Sequence, residues 1–552
     1  MPATNVWQQL YPAPTRLEVH FGDRVVRCFP DRPANLDAML RQTVARYPDN
    51  EALVFEQRRL TYRELDALVD AVAVRFHAAG LQVGERIAVY MSNSIELIVA
   101  YFAALRAGLI AVPIGIRQQA PELEYALNNC SAAALIFDSD SAERLPLPEQ
   151  IPSVRQLYCV GGAVTHPKGA RAEPFEPLME KTDSVAPVLD IFEETTAFIM
   201  YTSGTTGRPK GAELCHLGVW HATRHDELCL EFNSATRAML AIPGTHVSGL
   251  VAVIMSLAQA GGCLVVMRSF DTRGLLELMR AEKITATLFV PTIYTRILLE
   301  PDFDSFGLGS HWRSARYGGA PMPEATIAGL HKHLPKLRLH QGYGATESGA
   351  VSVLLPFDQT ALRPFSVGTA EHCVDVFIAD EQGRELPFGE IGEIWIGGAS
   401  VVRGYWNMPE ENARSFIGGY WRSGDVGTMD EQGYLQILDR RKDVIIRGGF
   451  KVYSVEVENV LAFVEGVVEA AVVPSPCPLL GERVHAFLYG PGVTEAAVRE
   501  FCATRLADYK IPDFITLSPE PLPRNLNGKL VKAPLRDIAK AEAQQRNALR
   551  AR

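Results

Sequence analysis

The 552-residue sequence has few cysteines and no excess of positive charge, and both shortages exclude classes of protein. Nine cysteines are scattered so that no two form a C-x-x-C motif, which argues against a disulfide framework or a structural zinc site. The 54 basic residues are outnumbered by 64 acidic residues, which gives a net charge of −10. Because a nucleic-acid backbone requires a basic surface, we do not expect nucleic acid as a partner.

Signals for export and for membrane insertion are also missing. Residues 1–16 contain no basic segment followed by an apolar run, and the cysteine usage favours a reducing compartment, so we expect a cytoplasmic protein. The stretch 250–267 is uncharged, but it contains the pair Gly261-Gly262. This break predicts a buried helix followed by a short strand rather than a transmembrane segment.

Helical and strand patterns alternate along much of the chain. The predicted elements are helices over 61–80, 94–108 and 275–283 and strands over 85–91, 109–114, 195–202 and 286–292. Such alternation predicts the α/β class, with mostly parallel sheets covered by helices. Residues 141–190 are richer in proline and predict a surface excursion.

The character of the sequence changes after residue 373. Short strand patterns separated by glycine-rich turns predict a small, distorted β-barrel or antiparallel sheet over 373–439. A basic run, DRRKD, follows at 439–443, and a compact α+β pattern then continues to the end. We therefore predict a large N-terminal domain over 1–439 and a small α+β C-terminal domain over 440–552.

The strongest local signal for function is YTSGTTGRPKG at 201–211, directly after an apolar strand. Its hydroxyl groups, its glycines and one lysine suit a phosphate, because glycine lets backbone N–H groups approach an anion. The residues concerned are Thr202, Ser203, Gly204, Thr205, Thr206, Gly207 and Lys210. The loop matches neither the Walker motif nor G-x-G-x-x-G, and a flexible polar turn is the alternative interpretation.

Further motifs follow in a fixed order. They are RYGGAPMP at 316–323, GYGATE at 342–347, SGD at 423–425, DRRKD at 439–443, GGFKV at 448–452 and PRNLNGKLVK at 523–532. Together with LTYRELD at 60–66, this set resembles the adenylate-forming superfamily, specifically the acyl-CoA synthetases. The resemblance covers nearly the whole chain, and it is the combination of motifs that makes it specific.

The resemblance implies an enzyme that uses ATP to convert a small-molecule carboxylic acid to an acyl-adenylate, releases pyrophosphate and transfers the acyl group to CoA. One alternative within the superfamily passes the acyl group to a carrier protein. Another is a non-catalytic nucleotide-binding relative, against which the presence of Glu347, Asp425, Lys442 and Lys529 argues. The oligomeric state stays open, a homodimer included.

The same resemblance assigns roles in the first half-reaction. Lys529 bridges the carboxylate and the α-phosphate, Thr346 contacts that phosphate, and Glu347 with Thr206 holds Mg²⁺, which prefers hard oxygen ligands. Asp425 and Arg440 hold the ribose hydroxyls, and Tyr343 stacks on adenine. The remaining nucleotide-binding positions are Gly318, Gly319, Ala320, Pro321, Gln341, Gly342, Gly344, Ala345 and Ile437.

For the second half-reaction the resemblance implies rotation of the small domain about a hinge at Lys442. The implied CoA-binding residues are Gly448, Gly449, Phe450 and Lys451. Arg268 is either a cation for CoA or a solitary surface arginine. The chain departs from the family pattern at Ser423, where threonine is usual, at Asp439, where glycine is usual, and at Ile446, where coumarate-type ligases commonly have lysine.

The acid-binding residues are implied by position as well. His246 is either part of the acyl pocket near CoA or a buried structural histidine. The other pocket candidates are Val247, Ser248, Ala252, Thr292, Gly318, Gly342 and Ala350, all small or apolar. Residues 247–258 contain no acidic side chain, which disfavours an amino-acid substrate. Small walls favour a medium- or long-chain fatty-type acid or a bulky aryl or ring acid over acetate.

Overall fold

The computed structural model describes residues 6–162, 172–202, 208–524 and 530–550. The chain divides into two compact units. The first unit comprises Met1–Val376, Trp395–Arg422 and Glu431–Leu435, and the second comprises Phe377–Ile394, Ser423–Asp430 and Gln436–Arg552.

Two large sheets form the frame of the first unit. The seven-stranded sheet has the order Lys210–Cys215, Thr196–Thr202, Ile110–Pro113, Arg86–Tyr90, Ala134–Asp138, Gln156–Val160 and Glu173–Pro174. The nine-stranded sheet has the order Thr369–Ala370, Ala350–Leu354, Arg338–Ala345, Ser314–Gly318, Ala286–Phe289, Arg237–Leu240, Cys263–Val266, Glu51–Phe55 and Arg58–Thr61. Both sheets are parallel in their centres and antiparallel at an edge, which confirms the predicted α/β class.

Smaller sheets complete the strand set. A two-stranded sheet pairs Arg16–His20 with Arg24–Cys28. A five-stranded sheet contains Val374–Ala379, Gly392–Gly398, Tyr420–Met429 and Phe416–Ile417, with Leu435–Arg440 on Tyr420–Met429. Another five-stranded sheet, within the second unit, contains Phe450–Val452, Ile445–Arg447, Gly481–Tyr489 and Glu469–Cys477, with Phe514–Ser518 parallel to Gly481–Tyr489.

The helices connect and cover these strands. In the first unit they are Val6–Leu10, Leu36–Arg46, Tyr62–Ala78, Ile95–Arg106, Ala120–Asn129, His216–Cys229, Val247–Gly249, Leu250–Met255, Ser256–Ala260, Thr272–Ala281, Pro291–Leu298, Glu324–His333 and Pro409–Ser415. The second unit has Ser454–Leu461, Glu495–Ala503 and Lys532–Arg550. Single 3₁₀ turns lie at Ser139–Arg144, Pro148–Gln150, Glu176–Met179, Phe303–Phe306, Leu308–Ser310, Phe357–Gln359 and Asp508–Lys510.

Local sequence signals explain where several helices begin and end. Tyr62–Ala78 begins with a capping box, in which the Glu64 backbone N–H donates to Thr61 Oγ1 and the Thr61 N–H donates to the Glu64 carboxylate. It ends before Gly80, whose φ of 83° suits glycine. Ile95–Arg106 is apolar nearly all round, and every one of its residues is buried.

The prediction of a surface excursion over 141–190 is wrong for part of that segment. Gln156–Val160 is a strand that pairs in parallel with Ala134–Asp138, and its Tyr158 and Cys159 are fully buried. The strand is short and lies between proline-containing segments without a regular α-helix before it. The alternation of helix and strand that marks the other strands is therefore missing here.

The uncharged stretch 250–267 forms a buried helix and a strand, as predicted, but the helix is irregular. Leu250–Met255 is a π-helix continued by Ser256–Ala260, and the chain then turns at Gly261 into the strand Cys263–Val266. Such π-segments often occur at functional sites. In the part of the chain that the structure describes, no helix is both long enough and apolar enough to cross a membrane.

A buried ion pair lies at the centre of the first unit. Arg316 on the strand Ser314–Gly318 is paired with Asp226 on the helix His216–Cys229, and both side chains are almost completely buried. Burial raises the pKa of Asp226, and the guanidinium of Arg316 opposes that shift. The Asp226 carboxylate also accepts a hydrogen bond from the Ser256 hydroxyl at 2.7 Å.

We predict that Asp226→Asn destabilises the protein strongly, because it leaves the Arg316 charge buried without its counterion. Breaking such a pair by removing one partner is expected to lower the free energy of unfolding by about 3–5 kcal/mol. Denaturant unfolding measures this change. Asp302→Asn is the control, because Asp302 forms its ion pair with Arg273 at the surface, where its loss should leave stability unchanged. Equal stability of the two variants would contradict the prediction.

Candidate active site

The strands on either side of the glycine- and threonine-rich loop are paired at the loop itself. Thr196–Thr202 and Lys210–Cys215 are antiparallel, and Thr202 lies opposite Lys210 in the register. The two ends of the segment between them are therefore adjacent. Ser203, Gly204, Thr205, Thr206 and Gly207 lie outside the described residues.

Lys210, predicted to contact phosphate, is buried in an ion pair. Its ammonium lies 2.5 Å from the carboxylate of Glu411, on the helix Pro409–Ser415, and 5.1 Å from the centre of the Tyr405 ring. The hydrogen bond from Lys210 lowers the pKa of Glu411. The two charges therefore neutralise each other, and the side chain fixes the end of the strand to this helix.

Glu347, predicted to hold a metal ion, follows the strand Arg338–Ala345 in a tight turn. Its carboxylate accepts hydrogen bonds from Tyr405 Oη at 2.9 Å and from Thr202 Oγ1 at 3.3 Å, and the residue is 9% exposed. Burial, and secondly the charge of Glu347, raises the pKa of Tyr405, so its hydroxyl stays a donor. These two hydrogen bonds orient the Glu347 carboxylate toward the end of the strand Thr196–Thr202.

Two predicted adenine-binding strands lie side by side. Gly318 and Gly342 are opposite each other in parallel strands, and a Cβ on Gly318 would lie 2.5 Å from the Gly342 carbonyl oxygen. Only glycine fits at this separation. Gly319, Ala320 and Pro321 are exposed beyond the strand. Gln341, Tyr343, Ala345 and Thr346 are partly exposed along the neighbouring strand and its turn.

The predicted acid-pocket residues are contributed by several elements. His246, Val247 and Ser248 are half-buried where the helical segment begins, Ala252 is buried in the π-helix, and Thr292 is exposed in the first turn of Pro291–Leu298. Ala350 is buried and has a φ of 126°. Burial, and secondly the charge of Arg117, lowers the pKa of His246, so the imidazole is neutral at neutral pH.

The predicted residue Arg268 and two further histidines, His216 and His221, lie apart from the groups described above. Arg268 is 41% exposed and lies 3.6 Å from Asp138, so it is not a solitary arginine. His216 and His221 are buried, and burial lowers their pKa values to about 4 and about 3. These two histidines are structural, because each ring accepts a hydrogen bond from a buried backbone N–H.

The second unit holds the predicted ribose-binding residues. Arg440 Nε lies 2.7 Å from the Asp425 carboxylate, and Asp425 is 5% exposed. Ile437 is half-buried on the strand Leu435–Arg440. Partial desolvation, together with the charges of Arg440 and Arg536, lowers the pKa of Lys442, the predicted hinge residue. Lys529 lies outside the described residues.

Gly448 and Gly449 have a structural reason to be glycine. They form the two-residue turn of a hairpin in which Arg447 pairs with Phe450, and their φ values are 59° and 89°. A turn with two positive φ angles favours glycine. Phe450 is 57% exposed and stacks on Tyr509, with ring centroids 4.6 Å apart, and Lys451 is exposed beside it.

Sequence reasoning missed the partners of the predicted residues. Tyr405 and Glu411 belong to the segment GYWNMPEEN at 404–412, which carries no motif by itself. Its backbone is held against the strand Lys210–Cys215, since the Trp406 backbone N–H donates to the Gly211 carbonyl at 2.7 Å. Tyr405 and Glu411 become partners of the predicted residues through this long-range pairing, which the local sequence does not show.

A separate group of metal-ligand types lies on the N-terminal hairpin. Glu18, His20 and Cys28 have ligand atoms within 4.8 Å of one another. However, both Glu18 oxygens are held by Arg32, at 3.0 and 2.6 Å, and both His20 nitrogens lie against carboxylates. The guanidinium of Arg32 occupies the place of a cation, so the group forms a salt-bridge network.

The chain is similar to known proteins over most of its length. Residues 40–406 match the family model described as AMP-binding enzyme, and residues 456–529 match the AMP-binding enzyme C-terminal domain. The chain is 34% identical over 510 residues to the long-chain-fatty-acid–CoA ligase FadD13 of Mycobacterium tuberculosis, covering 91% of this chain and 98% of the relative. It is equally identical over 481 residues to a feruloyl-CoA synthase of an Amycolatopsis species, covering 86% and 93%.

A fatty acid–[acyl-carrier-protein] ligase, ScoC of Streptomyces coeruleorubidus, is 32% identical over 517 residues, covering 89% of this chain and 93% of the relative. Among solved structures, ATP-bound MatB from Rhodopseudomonas palustris superposes with a TM-score of 0.83 at 30% identity, covering 93% of this chain and all of that chain. The o-succinylbenzoate CoA synthetase MenE from Bacillus subtilis, with ATP and magnesium, superposes with a TM-score of 0.77 at 27% identity, covering 92% and 99%.

We predict that Gly344→Ala disrupts the turn that carries Thr346 and Glu347. A Cβ at Gly344 would lie 1.7 Å from the Ala350 carbonyl oxygen, so the backbone must move. A displacement of about 1 Å near reacting groups lowers a rate by about 100-fold, and we expect such a loss in acid-dependent exchange of pyrophosphate into ATP. Gly309→Ala is the control, because its Cβ would have only an ordinary contact at 3.5 Å. Wild-type exchange by Gly344→Ala would contradict the prediction.

Proposed function

The chain belongs to the family of AMP-binding enzymes and is an AMP-forming acid–CoA ligase, and from that premise we propose that its acid is a medium- or long-chain fatty-type acid. The observation that carries this proposal is the apolar π-helix that contains the candidate pocket residue Ala252, and we propose that this helix forms one wall of the acid pocket. Leu250–Met255 is apolar and completely buried. The carboxylate that approaches it, Asp226, is neutralised by Arg316 and is therefore no partner for a substrate amino group.

The first half-reaction joins two anions. A carboxylate oxygen of the acid attacks the α-phosphorus of ATP, the bond from that phosphorus to the bridging oxygen breaks, and pyrophosphate leaves with the electron pair. We propose that Lys529 lies against both anions and stabilises the charge that develops on the α-phosphate. Thr346 contacts the α-phosphate, and Tyr343 stacks on the adenine.

The nucleotide also requires a metal ion, and the donor set fits Mg²⁺. Glu347 offers a carboxylate oriented by Tyr405 and Thr202, and Thr206 offers a hydroxyl. These are hard oxygen ligands of the kind that Mg²⁺ prefers. When bound there, Mg²⁺ would neutralise charge on the phosphates.

The residues Asp425 and Arg440 are proposed to bind the ribose hydroxyls.

The second half-reaction transfers the acyl group. The CoA sulfur attacks the acyl carbonyl carbon, the carbon–oxygen bond to AMP breaks, and the thiol proton is lost. We propose that the small domain rotates about Lys442 between the two half-reactions. The proposed CoA contacts are Gly448, Gly449, Phe450 and Lys451. His246, which is neutral, is proposed to lie beside the acyl group, and Arg268 to attract the CoA phosphates.

Two other substrates are supported by specific relatives. The feruloyl-CoA synthase is as similar in identity as the fatty-acid ligase, which supports a ring acid. The carrier-protein ligase supports a carrier in place of CoA as acceptor. Both alternatives share the same adenylation chemistry and differ in the acid wall or the acceptor.

A panel of acids tests the proposed substrate. We expect pyrophosphate release and CoA-thioester formation with fatty acids, with kcat/KM rising with chain length into the medium or long range, since each buried methylene contributes about 0.8 kcal/mol. Acetate, amino acids and ferulate are the comparison arms. A higher kcat/KM with ferulate would replace the fatty-acid proposal by the ring acid. Adenylation without thioester formation would point to a carrier protein.

We predict that Lys529→Ala abolishes adenylation but largely spares thioester formation from supplied acyl-adenylate. The lysine acts on the α-phosphate in the first half-reaction and has no role once pyrophosphate has left. Separate assays of pyrophosphate release and of thioester formation measure the two steps. Lys540→Ala, an exposed lysine on the helix Lys532–Arg550, is the control and should retain both activities. Equal loss of both steps in Lys529→Ala would refute the division of roles.

A further inference from the structure

The side chain of Arg316 reaches the element that forms the acid wall. Besides its pair with Asp226, Arg316 donates from Nη2 to the carbonyl oxygen of Ala252 at 2.9 Å. Ala252 lies within the π-helix Leu250–Met255. The guanidinium is 1% exposed, so this hydrogen bond is made away from water. A buried charge-assisted bond of this kind holds its acceptor strongly.

The partner carboxylate contacts the same helical segment one turn further along. Asp226 accepts from the hydroxyl of Ser256, the residue that directly follows the π-helix, at 2.7 Å. The same hydroxyl lies 3.0 Å from the Val251 carbonyl oxygen. The ion pair therefore contacts the π-helix near its middle and at its end. A π-turn has an irregular hydrogen-bond pattern, and these external bonds fix its course.

Other candidate pocket residues lie near Arg316 on its own strand and on the neighbouring strand. The Arg316 carbonyl accepts from Tyr294 Oη at 2.7 Å, and Tyr294 is on the helix that carries Thr292. Gly318 is two residues along the same strand. A Cβ on Gly342 would lie 3.6 Å from Arg316 Cδ. The candidates Ala252, Gly318 and Gly342 thus lie close to Arg316, and Tyr294 connects it to the helix Pro291–Leu298.

The backbone of Arg316 is held independently of its side chain. In the sheet register it lies between Leu288 and His340, in parallel pairings on both sides. The path of the strand toward Gly318 is therefore fixed by the sheet hydrogen bonds. Loss of the side chain should change the π-helix wall more than the nucleotide-binding strand.

From this geometry we infer that Arg316, together with Asp226, is a positioning residue that sets the shape of the acid pocket and so the selectivity for acid length. The inference rests on the proposed function, because it assigns Ala252 to the acid wall. Arg316 touches no reacting atom. It acts by holding the Ala252 carbonyl, and with it one side of the pocket, at a fixed distance from the strand that ends at Gly318.

The test is a double variant, Arg316→Met with Asp226→Leu. Removing both charges avoids a buried unpaired charge, and replacing such a pair with apolar residues is often neutral for stability. The measurement is kcat/KM for a series of fatty acids, with KM for ATP measured in parallel. We expect the ratio of kcat/KM between the best acid and one two methylenes shorter to fall by about tenfold, the scale at which pockets discriminate methylenes. KM for ATP should change little.

Two further variants separate positioning from general loss of stability. Arg106→Met with Asp37→Leu removes a buried arginine of the same unit and one of its three carboxylate partners, the others being Asp66 and Asp70, and it should lower kcat/KM equally for all acids. Ser256→Ala keeps the Arg316 pair but removes one bond to the wall, and it should shift the selectivity in the same direction by a smaller factor. It also serves as the test if the double variant does not fold.

Several outcomes would overturn the inference. A uniform fall in kcat/KM across acids in the Arg316→Met/Asp226→Leu variant would show a structural role only. The same fall in the ratio of kcat/KM between the two acids in the Arg106→Met/Asp37→Leu variant would also show a structural role only. Wild-type selectivity in Ser256→Ala, where the double variant is unfolded, counts against it as well. Absence of acid activation by the wild-type enzyme would instead refute the proposed function, so the two failures are distinguishable.

Discussion

The pairing of Arg316 with Asp226 constrains the first unit more than any other single contact described above. Two opposite charges taken out of water are tolerated only when they meet with good geometry and their remaining polar atoms are satisfied. Asp226 is on the helix that continues directly from the phosphate strand Lys210–Cys215, and Arg316 is on the central strand that ends at Gly318. The pair therefore fixes the helix His216–Cys229 against the strand that ends at the predicted adenine-binding residue Gly318, and it holds the proposed acid wall through Ala252.

Local pattern predicted a large share of this structure. The helix Tyr62–Ala78 was predictable because its caps are in the sequence, and the α/β class because helices and strands alternate. The π-helix was not predictable, since its irregular turn depends on Arg316 and Asp226, which are distant from it in sequence. The strand Gln156–Val160 was missed for a related reason, because its burial depends on a neighbouring strand and not on its own flanks.

The candidate site likewise combines residues that motifs predict with residues that only long-range contacts bring together. Motifs predict Thr202, Lys210 and Glu347 as site residues, because hydroxyls, charged groups and glycines at fixed spacing have a chemical meaning. The residues that orient them, Tyr405 and Glu411, have no such spacing and were invisible. Gly448 and Gly449 illustrate a third situation. Close approach of CoA to the backbone is one reason for glycine, but the turn with two positive φ angles favours glycine whether or not CoA binds.

The net charge of −10 limits the ways in which this protein can bind anions. Lys210 is a cation in the phosphate motif, yet its charge is neutralised by Glu411 at 2.5 Å, and Arg440 is paired with Asp425 at 2.7 Å. An ion-paired side chain adds little net positive potential at a distance. In the proposed binding mode, the charge of a triphosphate is then met by backbone N–H groups, by a metal ion at Glu347 and by Lys529. Affinity for ATP should accordingly depend more on the metal than on Lys210, whose burial against Tyr405 and Glu411 serves to hold the phosphate strand in place.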